Sequence, residues 1–482
     1  MKGAKVQLPM SKKSFLAILH CGNIRAMHER DTICGVSTPP GEGGIGIIRI
    51  SGSDAIAVSS RVFKPRRDKD IPAEATHSLH YGHVVDPASG EVLDEALLSV
   101  MRAPATYTRE DVVEINCHGG MMPLWRIMKL LIAAGARQAE PGEFTKRAFL
   151  NGRIDLAQAE AVMDIIRAKT ELSHRAANEM LLGGLSSEIA ALRDSVISLT
   201  ASVEAGIDFP EEDIETVSGR SLESEVSGIL AGIDEILASY ASGRILRDGF
   251  ATAIVGRPNV GKSSLLNALL KQNRAIVTEI PGTTRDVLEE YLNISGVPIK
   301  ILDTAGIRHS HDKVEQEGVR RSLEVIASAD IVLVVLDGSE PLSSEDKRVL
   351  DEVREKQVIA VVNKADLPQK LELPDNVRMH VAVSCRTNEG LEELKRTLAD
   401  TVKQGMAGPR THAWAVNQRH RTALEQARES MQRALESIAA RLSPEFMAVD
   451  LRGALDSLGL IIGATYTDDI LERIFSDFCI GK

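Results

Sequence analysis

The sequence is short of several things, and each shortage excludes a class of protein. Cysteine occurs five times, as Cys21, Cys34, Cys117, Cys385 and Cys479, with no C-x-x-C pair. That odd, scattered set excludes a disulfide framework and a structural zinc site and fits reduced thiols in a cytosol. No apolar run approaches the roughly 20 residues of a membrane span. Positive charge is also lacking: the net charge of -11 argues against a protein that coats nucleic acid by bulk electrostatics. Residues 1–67 carry a local basic bias, eleven Lys or Arg against four acids, which reads as a solvated face. Aromatics are scarce at 3% in a composition otherwise ordinary for a globular protein. The opening "MKGAKVQLPMSKKSFLAILHCGN" has a charged start, but "FLAIL" is too short for a signal-peptide core and no small-residue cleavage site follows. Residues 1–29 are therefore read as a poorly ordered extension from an upstream start codon.

What is present divides into three regions, as a length of 482 residues allows. Residues 30–150 alternate short β-rich segments such as "GIGIIRI" and "EDVVEINCHGG" with one apolar helical stretch, the pattern of a mixed α+β domain. From Asp155 the period changes to that of amphipathic helices: Leu156, Ala159, Met163 and Ile166 share one face, as do Ile189, Leu192, Val196, Leu199 and Val203. The style returns after residue 410 with Leu424, Ala427, Met431, Leu435, Ile438 and Leu442. Residues 151–248 and 406–482 are thus expected to form one discontinuous α-helical bundle domain. Between them, residues 249–405 read as an inserted α/β P-loop domain of Ras type, because "FATAIVG", "PIKILDTAG", "DIVLVVLDG" and "VIAVVNKAD" are near-continuous apolar runs suited to a parallel sheet buried on both faces.

"GRPNVGKS" (256–263) follows one of those strands and opens a helix, the context in which backbone N–H groups cradle phosphate. Lys262 would reach the β and γ oxygens, and Ser263 would hold Mg²⁺. "GTTRD" supplies Thr284 as a switch residue for the same ion, and "DTAG" supplies Asp303 as its second-layer partner. In "NKAD", Asp366 accepts from the two N–H edges of guanine that adenine cannot offer. The candidate GTP contacts are Asn259, Val260, Gly261, Lys262, Ser263 and Ser264; Thr278, Glu279, Ile280, Pro281, Gly282, Thr283 and Thr284; Asp303, Thr304, Ala305 and Gly306; Asn363, Lys364, Ala365 and Asp366; and Ser384, Cys385 and Arg386. The water-orienting Gln that Ras-type enzymes carry after DTAG is replaced by Ile307, which cannot hydrogen-bond. Glu315 lies downstream on a polar segment, where a solvated helix charge is the plainer reading. No arginine finger is identifiable, and Asn259 with the loop from Thr278 to Thr283 offers oxygens of the kind K⁺ prefers.

The insertion of a GTPase between helices, together with "TPPGEGGIGIIRISG", "CHGG", "PGEFTKRAFLNGRIDLAQAEAV", "GRPNVGKSSLLN" and "FCIGK", resembles the tRNA-modification GTPase family called MnmE or TrmE. The resemblance covers the chain from about Asp31 to Lys482. It implies a cytoplasmic homodimer, joined through its N-terminal domain, that works with an FAD- and NADH-dependent MnmG (GidA) partner in a heterotetramer. Together they add a carboxymethylaminomethyl or aminomethyl-type group to C5 of wobble uridine (U34) in tRNA. It implies a one-carbon unit from a 5-formyl-tetrahydrofolate-like cofactor, with folate contacts at Arg49, Glu114, Arg153 and Lys482. Many relatives have Lys where Arg153 stands, and some have Ala where Val260 stands. It further implies K⁺-dependent pairing of G domains, with K⁺ ligands Asn259, Thr278, Ile280 and Thr283, and Glu315 as the water-positioning residue. The competing class is a ribosome-assembly GTPase that only gates RNA binding, which has no use for a folate.

"FCIGK" raises its own question. A prenylation box wants aliphatic residues after Cys and a small or apolar last position, and Gly481 and Lys482 do not fit. Metal ligation lacks neighbouring His or Cys. Two readings stand: Cys479 is a packed structural thiol, or it enters the modification site as a nucleophile or redox gate, helped by the charge of Lys482.

Overall fold

The computed structural model describes residues 31–67, 70–208, 219–273, 290–302, 323–406 and 414–482. They divide into two compact units, residues 31–155 with 467–482, and residues 156–466. The expected extension at 1–29 lies outside the described residues.

The first unit is built on a seven-stranded sheet. Its strands are β1 (Ile33–Val36), β2 (Ile45–Ser51), β3 (Phe63–Pro65), β4 (Ser78–Val85), β5 (Val92–Met101), β6 (Val112–His118) and β7 (Arg137–Gln138), in the order β3-β4-β5-β6-β2-β1-β7. Only β1 and β7 pair in parallel. Alternation along β2 and β6 sends Ile48, Ile50, Val113 and Ile115 into the core beneath the helices Ala55–Val62 and Met121–Ala133. The same alternation puts Arg49 and Glu114, which are register partners, on the other face. Gly46 lets the second helix approach: a Cβ there would lie 2.8 Å from a Leu124 methyl.

Residues 467–482, expected within the helical domain, cluster with the first unit. The reason lies in the joint. Gly463 ends the helix Pro444–Ile462 in the left-handed conformation (φ 77°), and the short helix Asp468–Ser476 then buries Leu471 and Phe475. Phe475 packs against Gly142, whose own left-handed φ of 68° leaves no room for a side chain: a Cβ would sit 2.7 Å from the Phe475 carbonyl oxygen. Ile480 forms a β-bridge with Pro141.

The second unit contains the helices Leu156–Arg167, Glu171–Leu181, Gly184–Asp208, Gly219–Ala238, Tyr240–Asp248, Gln418–Ala439 and Pro444–Ile462. Ile189, Val196 and Leu199 share one core with Val226, Ile233, Leu424, Met431 and Leu451, so segments before and after the α/β insertion form one bundle. The insertion has a sheet of β8 (Phe250–Val255), β9 (Glu290–Ile294), β10 (Val297–Leu302), β11 (Ile331–Asp337), β12 (Val358–Asn363) and β13 (His380–Ala382), in the order β13-β12-β11-β8-β10-β9. All neighbours are parallel except β9 and β10. Every residue of β11 is buried: Ile331, Leu333 and Val335 enter one core while Val332, Val334 and Leu336 enter the core on the opposite face. This explains its unbroken apolar sequence.

The helix Tyr240–Asp248 hands the chain to β8. Near its end, Arg247 Nε donates to Asp164 Oδ1 at 2.9 Å, beside a small cavity of about 70 Å³.

Candidate functional site

β8 lies between β10 and β11, where the strand order reverses, and open α/β sheets bind ligands outside the carboxyl ends of strands at such a point. The turn after β8 is shaped for close approach. Gly256 has φ 148° and Gly261 φ 101°, and a Cβ would fall 2.4 Å from the Val335 carbonyl oxygen at the first and 2.2 Å from Asn363 Nδ2 at the second. Lys262 Nζ donates to the carbonyl oxygens of Gly256 (2.7 Å) and Arg257 (2.8 Å), and burial holds its ammonium below the usual lysine range. A half-buried cation over a glycine cradle at the start of the helix Lys262–Asn273 fits a phosphate chain.

Asn363, at the end of β12, ties this cradle to the base pocket. Its Nδ2 donates to the Val260 carbonyl oxygen at 2.8 Å, and its Oδ1 accepts from Cys385 N–H at 3.3 Å. Ser384 Oγ donates to Asp366 Oδ1 at 2.7 Å, leaving the second carboxylate oxygen toward Arg386, 4.0 Å away. Lys364, held at φ 65°, donates to the Asp337 carboxylate. Burial pushes Asp337 up, but the Lys364 and Ser339 hydrogen bonds bring it below the usual carboxylate value. Burial drives the Cys385 thiol to about 11. Asn259, itself at φ 63°, Val260, Lys262, Asn363, Lys364, Asp366, Ser384, Cys385 and Arg386 are thus parts of one linked arrangement. Thr278, Glu279, Ile280, Pro281, Gly282, Thr283, Thr284, Asp303, Thr304, Ala305, Gly306 and Glu315 lie outside the described residues.

A second constellation occupies the first unit. Arg49 Nε donates to Glu114 Oε1 at 2.9 Å, and Arg49 Nη1 points to the Gly481 carbonyl oxygen at 3.4 Å. Ser37 Oγ donates to the same carbonyl at 3.0 Å. Gly481 needs to be glycine: at φ 97°, a Cβ would lie 2.1 Å from the Val36 carbonyl oxygen. Lys482 is half-buried beside this group. Burial, then the Arg49 charge, holds its ammonium below the usual value against the opposing pull of Cys479 and Glu114. Cys479 is exposed. The guanidinium carbons of Arg49 and Arg153 lie over the Tyr107 ring, 5.5 and 4.7 Å from its centre, and the Tyr107 hydroxyl is 2.9 Å from Thr145 Oγ1. Arg49 and Arg153 therefore converge on Tyr107, which no motif marks, while Glu114 and Lys482 lie beside Arg49. Tyr107 was detectable only as an aromatic residue in a chain with few. Asp337, the anchor of Lys364, was likewise hidden in its apolar strand.

A family model described as MnmE helical domain matches residues 156–479, and one described as GTP-binding protein TrmE N-terminus matches residues 32–153. The tRNA modification GTPase MnmE of Thermoanaerobacter pseudethanolicus is 51% identical over 457 residues, covering 94% of this chain and 99% of that protein. Its counterpart from Geobacillus thermodenitrificans is 47% identical over 463 residues, 95% of this chain and 100% of that one. Among solved structures, Aquifex aeolicus Era bound to GDP and AlF4⁻ is 25% identical, covers 38% of this chain and 66% of its own, and has a TM-score of 0.24, too low to bear on the argument. Matched by models of both its parts and by relatives along nearly its whole length, this chain belongs to the tRNA modification GTPase MnmE family.

Proposed function

We propose that this chain, a GTP-hydrolysing member of its family, drives addition of a carboxymethylaminomethyl or aminomethyl-type group to C5 of U34 in tRNA, with the one-carbon unit carried by a 5-formyl-tetrahydrofolate-like cofactor. The observation that carries the reading is the gathering of Arg49, Glu114 and Lys482 around the Gly481 carbonyl. A carboxylate beside two cations and a carbonyl acceptor suits a flat, amide-like ring that presents paired N–H donors and oxygens, as a pteridine does. Such a carrier would supply the one-carbon unit, and its formyl carbon would reach the methylene level attached to C5 with two electrons from the FAD- and NADH-dependent partner. Glu114 and Arg49 would orient it, Arg153 would hold its acidic end, and Cys479 lies on the exposed tail beside Lys482.

In the second unit, Lys262 binds the β and γ phosphates, Ser263 and Thr284 hold Mg²⁺ with Asp303 behind them, and Asp366 selects guanine. Glu315 orients the attacking water, the role Ile307 cannot perform. Asn259, Thr278, Ile280 and Thr283 would hold K⁺, which would supply the positive charge that an arginine finger supplies elsewhere when two G domains meet. The working assembly is a homodimer with an MnmG-type partner in the cytoplasm. Among the described residues, no helix is long and apolar enough to cross a membrane.

Deleting residues 479–482 tests the reading. GTP turnover is expected to survive while the mass of wobble uridine reverts to the unmodified nucleoside; continued modification would remove the tail from the chemistry. GTP turnover in KCl is expected to exceed that in NaCl at equal ionic strength at least tenfold, about 1.4 kcal/mol of barrier, and equal rates would discard the cation.

A further inference from the structure

Beside Tyr107, an open cleft of about 500 Å³ is bounded by His77, Met101, Pro104, Arg109 and Arg153. Its two arginines are unneutralised: among the described residues neither forms an ion pair. Arg109 Nη1 donates only to the Asn151 carbonyl oxygen at 3.0 Å, and Arg153 rests on the Tyr107 ring. The carboxylates nearest in sequence are engaged. Glu110 accepts from Ser51 and Arg147, and Asp111 accepts from the Ala103 N–H. In a chain with a net charge of -11, two unpaired guanidinium groups facing one cleft make a local positive field.

The backbone around the cleft is also held against its preference. His77 (φ 58°) and Arg109 (φ 59°) are non-glycine residues in the left-handed region, a strain that persists where surrounding structure fixes it and that clusters at ligand clamps. Asn151 does the fixing. Its Nδ2 donates to the Thr108 carbonyl oxygen at 2.6 Å while its own carbonyl holds Arg109, so the two loops carrying Arg109 and Arg153 are joined.

The geometry points to a subsite for the γ-linked oligoglutamate tail of a folate, with Arg109 and His77 receiving the carboxylates beyond those reached by Arg153. The inference rests on the folate reading of Arg49, Glu114, Arg153 and Lys482. Each added glutamate brings one carboxylate and a short apolar stem, which matches a cleft with cationic sides and Met101 and Pro104 along its wall. Charge-assisted hydrogen bonds from arginine are the interactions suited to such a chain.

The test compares binding of 5-formyl-tetrahydrofolate monoglutamate and pentaglutamate to the full chain. The wild type is expected to prefer the pentaglutamate about tenfold, with the preference shrinking as ionic strength rises. In the double variant Arg109→Gln with His77→Gln, the ratio of the two dissociation constants falls toward one, and Arg109→Lys restores part of it. Equal binding of the two ligands by the wild type overturns the subsite while leaving the folate reading intact. Failure of the wild type to bind either overturns both. A ratio unchanged in the double variant, with weakened binding of tRNA instead, would make the cleft an RNA contact and also overturn the proposal.

Discussion

Tyr107 shows how a single side chain in the wall of a cleft can position its neighbours. Its ring carries the guanidinium groups of Arg49 and Arg153, and each such contact is worth roughly 0.5–1 kcal/mol at partly exposed positions. Tyr107→Leu is therefore expected to weaken folate binding about five- to tenfold, while Tyr107→Phe, which keeps the ring and loses only the hydroxyl contact to Thr145, stays within twofold of wild type. Titration of 5-formyl-tetrahydrofolate by calorimetry reads both. Similar losses in the two variants would show that the hydroxyl, and not the ring, does the positioning. No motif announces this residue because stacking is a tertiary event between segments far apart in sequence. Arg49 and Glu114 were named only through the family motifs that carry them; pairing in register puts both on the same face. Lys262, Asn363 and Asp366 were easier to find, because their spacing along the chain is itself the chemistry.

Among the elements, the parallel strands were legible because burial on both faces leaves a continuous apolar run that little else produces. The helix Asp468–Ser476 was not. Nine residues with a strong apolar stripe look alike whichever unit they join. The pairing of the helices Leu156–Arg167 and Tyr240–Asp248 has a consequence for pH. Burial pushes Asp164 up to about 6 against the pull of Arg247, with Glu160 and Asp248 adding to the rise. A carboxyl whose folded value lies above its unfolded value is stabilising below the unfolded value and loses that contribution as pH rises through about 6. His420, buried against Glu160 and held below the ordinary histidine value chiefly by burial, acts in the opposite sense as pH falls. Subtracting a variant isolates the first effect. Thermal unfolding followed from pH 5 to 7 should show wild type losing stability relative to Asp164→Asn across that interval. A difference flat with pH would mean that Arg247 already keeps Asp164 ionised.

For the molecule as a whole, the division into two units predicts two separable responses. Mg²⁺ and GTP in hundredfold excess over the dissociation constant should stabilise the unit of residues 156–466 by about 2.7 kcal/mol through mass action, and folate should act on the other. Truncation after Tyr466 removes Leu471, Phe475 and Phe478 from their buried positions, each worth roughly 1.5–3 kcal/mol. Differential scanning calorimetry of the truncated chain should show the folate-responsive transition displaced to lower temperature and the GTP-responsive one unmoved. A single transition shifted as a block would show instead that the units melt together. The contact from Ser37 to Gly481 spans 444 positions, which sets a timetable for biosynthesis. At ribosomal speeds of about 5–20 residues per second, the early sheet waits on the order of 20–90 s for the tail that reaches Ser37. During that interval the newborn domain must keep an open seat from being filled by the wrong peptide.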